Sequence, residues 1–146
     1  MQCDRRGIPV TGADTAAVDR FETALRQFQS YTGDPVGTIE EALREAPAFV
    51  AGHLLRALVF YTLAERRFVA EAATSLANAE RHAASMTDRE RGLARAAALL
   101  IDGEWHAACR QRALRGRARR GGHVRQGGVA EPPDRAPPVR AQAEAA

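Results

Sequence analysis

The sequence predicts an all-α fold: an α-solenoid fragment of stacked helix hairpins, followed by a disordered basic C-terminal tail. Three observations lead to it. Apolar residues between 15 and 105 recur at intervals of three and four, helix-capping residues stand between these stripes, and composition changes abruptly near Trp105–Arg110. Residues 1–14 form an N-terminal arm, 15–110 a domain of about three hairpins with the last incomplete, and 111–146 the tail.

The first helix opens at Asp14 or Thr15, whose side chains can accept from free backbone N–H groups. Val18, Phe21, Leu25 and Phe28 give it one apolar stripe. It ends near Tyr31, with Gly33 available for a left-handed turn. Asp34-Pro35 starts the second helix, because Asp caps and Pro at the first helical position loses no needed donor. Ile39, Ala42 and Leu43 form its inner face, and Pro47 biases Ala46 away from helical geometry.

From Ala48 to about Glu65 the pattern is apolar nearly all round, through Leu54, Leu55, Leu58, Val59, Phe60, Tyr61 and Leu63. Such a helix is buried on several sides. Gly52 suits a close helix crossing there, at a cost of roughly 1 kcal/mol in helix propensity. A small-residue helix follows Arg66-Arg67 and reaches about Ala84, with Ala73, Leu76, Ala77 and Ala83 inward and Glu71, Glu80 and Arg81 outward.

Thr87-Asp88-Arg89-Glu90 has the spacing of a capping box, in which Thr and Glu side chains satisfy each other's backbone N–H groups. The fifth helix carries Leu93, Ala96, Ala97 and Leu100 and stops at Asp102-Gly103. Trp105, Ala108 and Cys109 open a sixth, with Trp105 a packing residue under the last hairpin; because that helix is cut short after Cys109, Trp105 and Leu100 are expected to be incompletely covered. Five helices and no strand are expected over 15–105, with Phe21, Leu25, Leu54, Leu58, Tyr61 and Leu93 substantially buried.

Expected helix starts at 15, 48 and 88 are 33 and 40 residues apart, and each interval holds two helices. That is the spacing of stacked helix hairpins. Ala42 and Pro47 match the second-helix Ala and terminal Pro of the tetratricopeptide motif, which puts Ala57 and Phe60 at the small and aromatic sites of the next repeat. The Leu and Trp positions of that motif are unmatched.

A longer set of residues is more specific: Gly7-Ile8-Pro9-Val10, Phe28, Tyr31-Thr32-Gly33-Asp34-Pro35, Ala42-Leu43, Ala46-Pro47-Ala48-Phe49, Thr87-Asp88-Arg89-Glu90-Arg91 and Gly103-Glu104-Trp105-His106-Ala107-Ala108. Over residues 3–109 this resembles the N-terminal part of the tetratricopeptide repeat protein 38 family. The resemblance implies a helical-repeat protein without established catalysis, and a chain that continues as helix past Trp105 into a His-Pro-x-Asp turn and further repeats. Here that pattern stops.

Residues 1–109 carry 12 Arg against 15 Asp and Glu, and residues 110–146 carry 9 Arg against 3. The formal charge of +3 therefore divides into −3 for the body and +6 for the tail. Only Leu114, Val124, Val129 and Val139 are sizeable apolar residues in the tail, among five Gly and four Pro. Nothing there offsets the entropy of ordering. Two origins compete. An Arg-rich tail can bind RNA or DNA nonspecifically with steep salt dependence, although it lacks interleaved aromatics for base stacking. A truncated or frameshifted product is preferred, because the break falls inside a helix and one codon choice for 113–121, read one nucleotide later, encodes a more helix-like segment. Arg without Lys throughout fits the codon bias of a GC-rich genome.

No enzyme chemistry is expected, and no catalytic, cofactor-binding or metal-binding residue is assigned. His106 and Cys109 sit three apart on a helix, but two ligands do not make a tetrahedral site, and Cys3, His53 and His82 have no spacing that recruits them. His53 on the apolar helix reads as a packed histidine with a backbone partner. Glu40, Glu41 and Glu45 read as acidic residues favouring a helix dipole. Gly121-Gly122 and Gly127-Gly128 lack the strand and helix of a phosphate loop.

Two cysteines argue for no disulfide framework. No run approaches the ~18 apolar residues of a membrane span, and Asp4, Arg5, Arg6 and Gly7 interrupt any signal-peptide core. A cytoplasmic, non-catalytic interaction scaffold is the expectation, with an unidentified protein or peptide partner on its repeat face. Nonspecific nucleic-acid binding through the tail is the alternative.

Overall fold

The computed structural model describes residues 2–110, so the tail expected over 111–146 lies outside the described residues. Two short strands, β1 (Gln2–Cys3) and β2 (Pro9–Val10), pair antiparallel with Gln2 opposite Val10. Five helices follow: α1 (Thr15–Ser30), α2 (Pro35–Glu45), α3 (Val50–Thr62), α4 (Arg66–Glu80) and α5 (Asp88–Ile101). Helical turns resume at 105–110, where the described residues end. The described body is thus mostly helical, and no strand occurs over 15–110.

Local chemistry accounts for the helix ends. Asp14 accepts from Ala17 N–H and Asp34 from Gly37 N–H, with Pro35 at the first position of α2. Both halves of the Thr87–Glu90 capping box form. α2 stops at Ala46 ahead of Pro47, and α5 stops at Asp102, followed by Gly103 with φ +82°. At the end of α1, however, the first left-handed residue is Tyr31 (φ 54°), which donates its N–H to Gln27 O; Gly33 takes a positive φ two residues later.

Two helix pairs, α1 with α2 and α3 with α4, pack side by side, and α5 packs on α3 and α4. α3 belongs to two cores. Phe49, Leu55 and Val59 join Val10, Val18, Ile39 and Ala42 on one side, with Phe21 edge-on to Phe49 at 5.5 Å between ring centroids. Such an aromatic pair contributes about 0.5–1.5 kcal/mol beyond area burial. Val50, Leu54 and Ala57 join Leu76, Ala79, Met86, Ala94 and Ala97 on the other. An all-round apolar helix is buried on two sides here, as its pattern requires. Gly52 lies where an added Cβ would sit 3.0 Å from Leu43 Cδ2, so α2 approaches α3 closely at that point.

Two expectations are corrected. α3 is shorter than 48–65, because Phe49 remains extended and caps the helix from outside. α4 ends at Glu80 and turns a different face inward: Ala72, Ser75, Leu76 and Ala79 are buried, while Ala73, Ala77 and Ala83 are exposed. Alanine buries too little surface to fix a helix's rotation by pattern alone. Trp105 is 57% exposed and Leu100 is only half-buried, the incomplete cover expected where the sixth helix is cut short.

The polar ties concentrate on Arg56. Its guanidinium reaches Glu40 Oε1 on α2 (2.8 Å), Ser75 Oγ on α4 (2.6 Å) and Glu71 on α4 (3.4 Å), and lies 4.6 Å from the centre of the Phe60 ring. One side chain of α3 thereby links the even-numbered helices. Glu41 and Glu45 pair with Arg20 of α1, so the carboxylates of α2 act as separate inter-helix partners rather than as one cluster.

Candidate functional site

The N-terminal arm folds back over the helices. Asp4 organises it: the carboxylate accepts N–H bonds from Arg6 and Ile8, both 2.9 Å through Oδ1, and the main-chain carbonyl accepts from Gly7 at 2.9 Å. Gly7 adopts φ +71°, closing the turn between β1 and β2. Asp4 is buried; burial alone would raise its carboxyl pKa, but the N–H bonds from Ile8 and Arg6, with Arg89 alongside, hold it below the usual value.

Thr11 carries the arm onto two helix starts. Its carbonyl accepts from Val50 N–H at 3.1 Å, satisfying a donor at the beginning of α3, where Phe49 offers no side-chain cap. Its own N–H and hydroxyl donate to Glu90 at 2.9 and 2.7 Å, the same carboxylate that closes the α5 capping box. Gly12 follows at φ +74°, where a Cβ would come 1.9 Å from the Ala48 carbonyl oxygen. Only glycine allows that approach.

Beneath the arm lies a cavity of about 180 Å³ between the odd-numbered helices. α1 contributes Phe21, Leu25 and Gln29, and α3 contributes Ala51, Leu55 and Leu58, one face at intervals of four and three. α5 adds Arg89, Glu90 and Leu93, while the arm closes the edge with Asp4, Arg6, Pro9 and Val10. Asp4 and Glu90 are buried, and the side chains of Arg6 and Arg89 are 48% and 47% exposed. Arg89 contacts Asp4 at 3.4 Å, and Arg6 contacts the buried Glu22 of α1 at 3.5 Å.

Of the six residues expected to be substantially buried, Leu54 is fully buried and the other five are half-buried. Phe21, Leu25, Leu58 and Leu93 pack against the margins of the two cores and also line the cavity. Periodicity does not separate these positions from that of Leu54. Asp4, Thr11, Glu22 and Gly12 had no place in the sequence reading beyond Asp4's interruption of a signal-peptide core. The available signal was Asp4-Arg5-Arg6-Gly7, a turn-forming Asp with Gly three residues on, between two short extended pieces.

His53 is buried on α3, and its Nε2 lies 2.8 Å from the Pro47 carbonyl, which requires the Nε2–H tautomer as donor. Burial pushes its pKa below the ordinary histidine value, with the nearby positive charges of Arg56 and Arg81 adding to the effect. His106 and Cys109 are both exposed, as is Cys3. Among the described residues no group of three or more His, Cys, Asp or Glu side chains is placed to hold a metal ion. No helix among them is long and apolar enough to cross a membrane. The two glycine pairs of the tail lie outside the described residues.

Comparison of the chain with family models, with curated proteins and with solved structures finds no match.

Proposed function

We propose that the protein is a non-catalytic, tetratricopeptide-like helical-repeat scaffold that holds a protein or peptide partner on the face formed by α1, α3 and α5. The observation that carries this reading is the shared lining of one groove by α1, α3 and α5. These helices begin at 15, 50 and 88, intervals of 35 and 38 residues, as in stacked hairpins. Such stacks bind through the continuous surface that equivalent helices present together. Half-buried Leu25, Leu58 and Leu93 on that surface are apolar contacts of the kind that anchor a partner.

The test is selection of a displayed random-peptide library on the full chain, followed by titration of the enriched peptides. Those peptides are expected to bind the Leu58→Asp variant at least about tenfold more weakly, the effect of losing one apolar anchor. Enriched peptides indifferent to Leu58→Asp would overturn the assignment of the face, and a library without enrichment would overturn the scaffold reading. Tight RNA binding that collapses with salt would favour the Arg-rich segment as the functional element.

A further inference from the structure

We propose that the cavity under the N-terminal arm is a binding site for a small aliphatic carboxylate, a molecule with one anionic head and a short, unbranched or lightly branched tail. The inference goes beyond the scaffold reading and does not depend on it, because it requires no macromolecular partner.

Size is the first argument. The cavity of about 180 Å³ falls below the ~300–1,000 Å³ of sites for drug-sized ligands. The space is therefore sized for a short tail rather than for a drug-sized molecule. Its walls are the methyl groups and rings of Phe21, Leu25, Leu55, Leu58 and Leu93, which favour an aliphatic tail.

Unused hydrogen-bonding capacity is the second. The charged lining is balanced in number, Asp4 and Glu90 against Arg6 and Arg89, but not in availability. Glu90 already accepts from Thr11 N–H, the Thr11 hydroxyl and Thr87 N–H, and Asp4 from the N–H groups of Arg6 and Ile8. Both carboxylates are buried. Each guanidinium, by contrast, makes one long side-chain contact, at 3.5 Å for Arg6 and 3.4 Å for Arg89, and is about half exposed. An Arg side chain carries five N–H donors. The half-exposed guanidinium donors at the rim are met by water, and an anionic acceptor can take its place with charge-assisted bonds.

The experiment is a titration of the isotopically labelled full chain with hexanoate, hexylamine, hexanol and acetate, followed by amide NMR shifts. Hexanoate is expected to shift the amides of Ala51, Leu55 and Leu93 and to bind about tenfold more tightly than hexylamine, the scale of one charge-assisted hydrogen bond. Acetate, lacking the tail, is expected to leave those amides unmoved at the same concentration. Arg6→Gln and Arg89→Gln should each weaken hexanoate while leaving hexanol unchanged, and Leu58→Trp should fill the cavity and abolish both. Equal affinity for hexylamine and hexanoate would overturn the proposal, as would hexanoate shifts confined to other parts of the chain, no hexanoate shifts at all, or hexanoate affinity unaffected by both Arg substitutions.

Discussion

Thr11 gives both its N–H and its hydroxyl to the Glu90 carboxylate, across 79 residues of sequence. Because Glu90 also accepts from Thr87 N–H, a single buried carboxylate starts α5 and fastens the arm. Glu90→Ala is expected to lower unfolding free energy by about 3 kcal/mol, since it strands several donors and removes charge-assisted bonds. Thr11→Val should cost about 1 kcal/mol. Urea unfolding of the two single variants and the double variant should show a coupling energy above about 0.5 kcal/mol; strict additivity would mean that the contact does not form in solution.

Gly12 and Gly7 have similar positive φ angles and opposite surroundings. At Gly7 a Cβ meets nothing within 4 Å, so Gly7→Ala bears only the left-handed backbone cost of about 1–2 kcal/mol. Gly12→Ala places a methyl against the Ala48 carbonyl and should cost more than Gly7→Ala, with displacement of the arm. Thermal melts of the two variants, compared side by side, check the order.

The helical stripes and caps of α1, α2 and α5 were legible in the sequence because each rests on local chemistry: Asp14, Asp34 and the Thr87–Glu90 box act within one turn. The site was not. It depends on Thr11 meeting Glu90 and on Asp4 meeting Arg89, contacts between residues 79 and 85 apart that no local spacing encodes. Residues on the groove and residues in the core share one apolar pattern, so Leu25 and Leu58 read like Leu54. The rotation of α4 was misread for a related reason, since a helix with alanines on several sides leaves tertiary packing to choose its face.

His53 sets an acid limit on stability. Its pKa in the folded protein lies below the unfolded value near 6.5, mainly through burial. The unfolded chain therefore binds the proton more readily, and stability should fall as pH drops below about 6.5 toward the folded value, with no contribution from this group above it. The midpoint of thermal unfolding is expected to decline from pH 7 to pH 5, and His53→Gln should flatten that interval. An unchanged slope in the variant would locate the acid sensitivity elsewhere.

Trp105 is the chain's single tryptophan and is 57% exposed, which makes it a direct reporter of coverage at the end of the described body. Its fluorescence is expected to be red-shifted and readily quenched by acrylamide, and Trp105→Ala should change stability by no more than about 0.5 kcal/mol. A blue-shifted, protected emission would show that another part of the chain or a second copy packs there.

Placing α3 in both cores ties the fate of one half of the body to the other. The α1–α2 pair loses Phe49, Leu55 and Val59 if α3 leaves, and α4 with α5 loses Val50, Leu54 and Ala57 in the same event. Amide hydrogens of α3 should thus exchange only through global opening, while those of α1 and α5 can exchange through partial openings that spare it. The molecule behaves mechanically as two leaves on one spine, able to loosen at either margin without losing the axis between them.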